Sequence, residues 1–300
     1  MIKFEDYWKT KKKIVLQVML TTDCNLRCVN CSYGCEHSKP VYMTFAQYKH
    51  VLYRLNKLLA DYTGLHGKIH FNLLGGEPLL HPQLDKILKF TFPRIPFLNF
   101  TSCCITTNGI KLLSLKPNMY KLLQHKHAYV SITRYPINFG YDKLYTFLKA
   151  NHIAFDIQGK MAYKDWEGAA NCIDPVTYET LRFGSTFLNP NKIHETSFAN
   201  CMHLTKLVCW TIWDNKIFPC ASCAGFYIKK QNGEEPYKSY PLVEATKENG
   251  FKGDYADIDN IDSFDNIISL MESMSVCKVC YSLGEHTWQS HRFKNVRVIK

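Results

Sequence analysis

Between residues 14 and 160, short apolar runs alternate with amphipathic ones, and this rhythm constrains the fold more than any other feature of the 300-residue chain. Residues 14–20, 68–74, 100–106, 129–133 and 153–158 read as strands. Helices are expected between them. One opens on Thr44-Phe45-Ala46-Gln47, a capping box, followed by Phe45, Tyr48, Val51, Leu52, Leu55, Leu58 and Leu59 at helical spacing. Others are expected from Pro82 to about residue 90, over 114–125 and over 141–150. Strands joined through helices of this length pair in parallel, and parallel α/β sheets place ligands at the C-terminal strand ends. Beyond residue 160 the rhythm stops. Residues 165–200 read as loop, 209–219 as a hairpin turning at Asp214-Asn215, 247–259 as a polar exposed stretch and 263–273 as a short helix.

Thirteen cysteines stand out in an otherwise ordinary composition that is 46% hydrophobic. The apolar run after Lys11–Lys13 is short, broken by Gln17 and lacks a small-residue cleavage site, and no stretch reaches the length of a membrane span. The expectation is a cytoplasmic protein with reduced thiols, in which many cysteines indicate metal. The net charge of +11 suits an anionic small molecule, but the basic residues lack the aromatic interleaving of a nucleic-acid platform.

The first metal candidate is Cys24-Asn25-Leu26-Arg27-Cys28-Val29-Asn30-Cys31, directly after the first strand. Three thiolates in so short a loop fit an iron–sulfur cluster with one open iron, or a zinc ion whose fourth ligand is Cys35 or His37. Gly75-Gly76-Glu77-Pro78 ends the second strand, where two glycines permit positive φ and close approach to a ligand, and Glu77 offers an acceptor to an ammonium group. Thr106-Thr107-Asn108-Gly109 ends the third strand, and Ser131 and Thr133 end the fourth.

Together these motifs resemble the radical S-adenosylmethionine (SAM) superfamily over roughly residues 14–160. The resemblance implies a partial (β/α)6 barrel and a [4Fe–4S] cluster on Cys24, Cys28 and Cys31. It further implies SAM held by Gly75, Gly76, Glu77 and Pro78, with contacts from Thr107, Asn108, Ser131 and Thr133. Asn30 departs from the aromatic residue common in that family before the third cysteine, and Arg134 reads as a surface residue by default. A second set, with Cys201 and Cys220 flanking the Asp214-Asn215 turn and then Cys277 and Cys280, resembles the SPASM and twitch extensions and implies an auxiliary [4Fe–4S] cluster. Asn215 stands where that pattern has glycine, and tolerates the left-handed conformation. Cys209 competes with Cys201 and is too close to the turn, while structural zinc is the rival reading of the set. Cys103, Cys104 and Cys172 read as packed residues.

The expected organisation is a core over 1–160, with its end as far as about 200, a loop-rich cluster-binding extension over 201–285 and a basic tail over 286–300. Stretches 73–82 and 132–137 resemble a branch associated with sugar and surface-polysaccharide modification. That resemblance implies dehydrogenation of a sugar, nucleotide-sugar or similar small polar substrate, with flavodoxin or ferredoxin as external electron donor. Alternatives are epimerisation, with Cys35 or Cys223 as a thiol hydrogen donor, radical modification of a ribosomal peptide, and a zinc-stabilised α/β binding protein. His70, His81, His125, His127, His203, His286 and His291 are scattered, and none is assigned as a base.

Overall fold

The computed structural model describes residues 14–27, 31, 33, 35, 38–60, 69–98, 100–135, 137, 139–158, 187–188, 208–234, 237–273, 280–281 and 297–298. In chain order these include β1 (Ile14–Thr21), β2 (Leu26–Arg27), α1 (Phe45–Ala60), β3 (Ile69–Gly75), α2 (Leu84–Thr91), β4 (Phe100–Thr107), α3 (Pro117–Leu123), β5 (Ala128–Thr133), α4 (Tyr141–Ala150) and β6 (Phe155–Gln158). There follow β7 (Phe187–Leu188), β8 (Val208–Trp213), β9 (Lys216–Phe218), α5 (Ala221–Gln231), β10 (Ala256–Asp257), α6 (Phe264–Ser273), β11 (Cys280–Tyr281) and β12 (Arg297–Val298).

The eight-stranded main sheet runs β10-β9-β8-β1-β3-β4-β5-β6. All neighbours from β8 to β6 are parallel, while β9 and β10 are antiparallel. This is the α/β class with a large parallel sheet that the alternating pattern leads one to expect. Leu16, Val18 and Leu20, Phe71 and Leu73, Ile105, and Val130 and Ile132 take every second strand position and form one core with Tyr48, Val51, Leu52 and Leu55 of α1. The capping box closes as read: Thr44 N–H donates to Gln47 Oε1 at 2.8 Å, and Gln47 N–H to Thr44 Oγ1 at 3.2 Å.

Three expectations need correction. Pro82 does not open the second helix, because a 3₁₀ turn at Pro78–Leu80 comes first and Gln83 caps α2. The helix expected over 114–125 is split into a 3₁₀ turn, Leu112–Ser114, and α3, which has Pro117 at its first position. Residues 247–259 are not simply exposed. Phe251, Asp254, Ala256 and Ile258 are buried, and β10 pairs with β9.

The 208–218 hairpin turns where expected, with Asp214 and Asn215 at φ of 50° and 56°. That matches the type I′ pair favoured in two-residue hairpins. Its first strand lies parallel to β1, pairing Ile14 with Val208 and Gln17 with Thr211, so the hairpin shares the sheet of the N-terminal half. Helix α5, a further element of this region, packs Ala224, Phe226, Tyr227 and Ile228 against Met19, Leu74, Trp213 and Phe218. No helix among the described residues is long and apolar enough to cross a membrane.

Arg54 ties α1 to the segment around β10. Its guanidinium donates to the carbonyls of Ile258, Asp259 and Ile261 at 2.9–3.3 Å and lies 3.3 Å from the Asp259 carboxylate. Charged donors on carbonyls are worth about 1.5–3 kcal/mol each at best, and the exposed ion pair adds little. Arg54→Ala is therefore expected to lower stability by about 2 kcal/mol in urea unfolding, while Lys89→Ala, at an exposed helix pair, changes it by less than about 0.5 kcal/mol.

Candidate active site at the strand ends

The ends of β1, β3 and β4 are joined by a closed set of hydrogen bonds. Gly76 N–H donates to Thr21 O and Glu77 N–H to Asp23 O, both at 2.7 Å. A Cβ on Gly75 would lie 2.3 Å from Thr21 O, and one on Gly76 would lie 2.2 Å from Asp23 O. The two glycines, read as room for a ligand, here make room for the backbone that leads into Cys24. Gly75 also has φ of +142°.

Glu77 is fully buried. Its Oε1 accepts from Thr107 Oγ1 at 2.7 Å and Leu79 N at 3.0 Å, and its Oε2 accepts from Asn108 N at 2.8 Å. A carboxylate has about four acceptor positions, so one on Oε2 is left open by these three bonds. Burial, only partly offset by these bonds, pushes the carboxyl up to about 7. Asn108 donates from Nδ2 to Asn25 Oδ1 at 2.8 Å, and its own Oδ1 accepts from Ile110 N at 3.0 Å. Gly109, at φ +81°, lets the chain turn away beneath Leu144 and Ile132. Sequence reasoning missed Asn25, which counted only as spacing between cysteines.

The approach to the loop is braced from the other side as well. Thr21 Oγ1 donates to Val41 O at 2.8 Å and Thr22 Oγ1 to Lys39 O at 2.8 Å. Tyr42 Oη donates to Asp23 Oδ2 at 2.6 Å, and that carboxylate pushes the phenol up to about 12. His81 accepts from Gln83 N at Nδ1, so its Nε2 carries the hydrogen donated to Met43 O at 2.8 Å. Burial lowers its basicity, which makes it a structural, neutral imidazole.

Of the first cysteine set, Cys24 and Cys31 are half-buried, and Cys28 lies outside the described residues, as do Asn30 and His37. Cys24 Sγ accepts Leu26 N–H at 3.4 Å. Of the second set, Cys201 and Cys277 lie outside the described residues, as does Cys172, and for Cys280 and Cys209 only the strand backbone is described. Cys220 caps α5 and accepts Cys223 N–H at 3.4 Å. Cys35 and Cys223 belong to the apolar cluster between α5 and the sheet, and the partly buried Cys31 and Cys220 pack against it. The buried Cys35 and Cys223 thiols donate to Tyr33 O at 3.6 Å and Asp254 O at 3.2 Å. Among the described residues, no three His, Cys, Asp or Glu side chains are grouped to hold a metal. Cys103 and Cys104 are packed in β4 as expected.

No family model matches the chain, and neither does any curated protein. Solved structures do match. One is BtrN in complex with AdoMet and 2-DOIA, at 16% identity over 96% of this chain and 99% of that one, with a TM-score of 0.49. A second is anSMEcpe with bound AdoMet, at 16% identity over 69% and 75% and a TM-score of 0.40. A third is Streptococcus suis SuiB bound to S-adenosylmethionine, at 16% identity over 52% and 34% and a TM-score of 0.33.

The sheet face opposite the main core carries polar side chains. Gln17 stands beside Thr211 on β8 and Asn72 on β3, and Ser131 beside Thr106 on β4 and Asp156 on β6. Thr211 Oγ1 donates to Gln17 Oε1 and Thr106 Oγ1 to Asn72 Oδ1, both at 3.0 Å. Ser131 and Thr133 are buried on this face, and Asp156 is exposed. The signal was present in the sequence as polar residues at alternate positions of otherwise apolar strands.

Proposed function

We propose that this chain is a radical SAM enzyme that removes hydrogen from a sugar, nucleotide-sugar or similar small polar substrate, with dehydrogenation as the outcome. The observation that carries the reading is the convergence of the Cys24 loop, Gly75–Glu77 and Thr107–Asn108 in one hydrogen-bonded assembly at parallel strand ends. The donor set fits the groups proposed for it. Cys24 leaves β1 with its sulfur accepting an amide, and Glu77 keeps an acceptor position for an ammonium group in a site whose burial disfavours its lone charge.

In this reading Cys24, Cys28 and Cys31 hold a [4Fe–4S] cluster, and Gly75–Pro78 with Thr107, Asn108, Ser131 and Thr133 hold SAM. SAM on such a cluster supplies a 5′-deoxyadenosyl radical when reduced. The protein's part is to fix the loop, exclude water and present the substrate. The polar face bearing Gln17, Asn72, Thr106 and Ser131 suits a ligand rich in hydroxyl groups. Cys201, Cys220, Cys277 and Cys280 are proposed to hold an auxiliary [4Fe–4S] cluster, which would accept the electron left on the substrate after hydrogen abstraction while a nearby base takes the hydroxyl proton, within an extension over 201–285 that follows a core over 1–160. A cytoplasmic location and a flavodoxin or ferredoxin as electron donor belong to the same proposal. Epimerisation through Cys35 or Cys223 is less favoured, because both thiols already donate to backbone carbonyls.

Anaerobic purification tests the class. About eight irons per chain are expected in the wild type, at four per cluster, and about four in a Cys24/Cys28/Cys31 triple alanine variant. A colourless protein holding zinc without iron or sulfide would falsify the reading. Release of 5′-deoxyadenosine with a substrate two hydrogens lighter supports dehydrogenation. An unchanged substrate mass with one solvent deuterium replaces it by epimerisation.

A further inference from the structure

Cys24 lies inside a closed ring. From Asp23 the chain runs through Cys24 to Asn25, whose Oδ1 accepts from Asn108 Nδ2 at 2.8 Å. Asn108 N–H then donates to Glu77 Oε2 at 2.8 Å, and Glu77 N–H returns to Asp23 O at 2.7 Å. Asn25, Asn108 and Glu77 are each at most 8% exposed, so water competes poorly for these bonds. The ring has fixed polarity. Because Asn108 Oδ1 is turned to Ile110 N–H, Nδ2 must face Asn25, and Asn25 must present an oxygen. The Asn108 carbonyl is itself held by Tyr141 Oη at 3.2 Å, so the ring is anchored to α4 and not only to the strand ends.

We propose that Asn25 and Asn108 are positioning residues that hold Cys24 ready for its metal before any metal arrives. A three-residue spacer between cysteines leaves the first sulfur free to swing unless the spacer is fixed. The Asn25–Asn108 bond fixes the spacer one residue from the ligand, and the Glu77 bond fixes the residue on its other side. The purpose assigned to the ring rests on the reading of Cys24 as a cluster ligand, whereas the ring itself does not depend on metal.

The test uses two readouts on the full-length chain. In the metal-free protein, amide hydrogen exchange is followed in the segments containing Leu26, Glu77 and Asn108, with β5 as an internal control. In the reconstituted protein, the rate of iron release to EDTA is followed. Asn25→Ala and Asn108→Asp are each expected to speed exchange of the three segments by about tenfold, the factor equivalent to ~1.4 kcal/mol, leaving β5 unchanged. Iron release is expected to quicken by a similar factor. Asn25→Asp keeps the required oxygen and is expected to exchange and release iron within about twofold of the wild type, the factor equivalent to ~0.4 kcal/mol.

Equal damage from Asn25→Asp and Asn25→Ala would overturn the proposal, since the oxygen would then be irrelevant. So would faster exchange that extends to β5, or faster exchange with unaltered iron release. A wild type that takes up no iron defeats the enzyme reading and, with it, the purpose assigned to the ring. The exchange pattern still reports separately whether the ring exists.

Discussion

Gly76→Ala is expected to unseat the cysteine loop and lower stability by roughly 3–5 kcal/mol. The added Cβ would meet only backbone atoms: Asp23 O at 2.2 Å, Asp23 C at 2.7 Å and Thr22 O at 2.9 Å. No side chain can rotate out of the way, so the Thr22–Asp23 backbone or the turn at Gly76 must move. Overpacking of this kind costs about 1–3 kcal/mol, and losing the bonds from Gly76 N and Glu77 N adds about 1 kcal/mol each. Gly233→Ala is the informative control. Its φ is +76° and nothing lies within 4 Å of the new Cβ, so it carries backbone strain without a clash and is expected to cost about 1–2 kcal/mol. Urea unfolding of the two variants separates the effects. If Gly76→Ala proves no worse than Gly233→Ala, the close approach of β1 to β3 is not what the glycine is for.

The glycine pair also shows where sequence reading stops. Gly-Gly at a strand end signals that something approaches the backbone closely, but not what. The occupant is the chain's own Thr21–Asp23 segment, more than fifty positions earlier, and only the parallel pairing of β1 with β3 brings it there. Elements governed by local chemistry were legible. The Thr44–Gln47 box, the Asp214-Asn215 turn and the 141–150 helix follow from caps, turn residues and periodicity. Helix α5 was not legible. Its buried residues include Ala221, Cys223, Ala224, Phe226, Tyr227 and Ile228, which go all round the helix and leave no stripe, and its cap is a cysteine. Residues 247–259 misled through composition. Asp254 is buried because its carboxylate accepts from Val243 N–H at 3.0 Å and its carbonyl accepts the Cys223 thiol. Of the site, the three motifs could be picked out one by one, but the bond that Asn108 donates to Asn25, 83 positions away, is tertiary information.

Glu77→Gln is expected to change how stability depends on pH, not only its size. Burial pushes the Glu77 carboxyl up to about 7 from its ordinary 4.5. As pH rises between those values, the unfolded chain releases this proton while the folded chain keeps it. The folding contribution of Glu77 is therefore fully present below about 4.5 and is lost as pH rises through about 7. The difference is worth roughly 3 kcal/mol at ~1.4 kcal/mol per tenfold. Glutamine cannot ionise and has no such slope. It keeps an oxygen for Leu79 N and Thr107 Oγ1 but turns an amide N–H₂ toward Asn108 N–H, a donor facing a donor, at about 1–3 kcal/mol. In urea unfolding the wild type should exceed the variant most clearly near pH 5, and the gap should shrink or reverse by pH 8. A gap that is constant with pH would show that the Glu77 carboxyl titrates alike in the folded and unfolded chain, its three donors offsetting burial. The predicted slope has a functional reading. At neutral pH and above, the ligand-free fold carries a buried carboxylate with one acceptor position open and too little compensation for its charge. Under the proposed reading, a cationic group that docks there recovers that energy, so an ammonium-bearing ligand such as SAM should flatten the slope in the wild type, whereas the glutamine variant has no such slope to flatten.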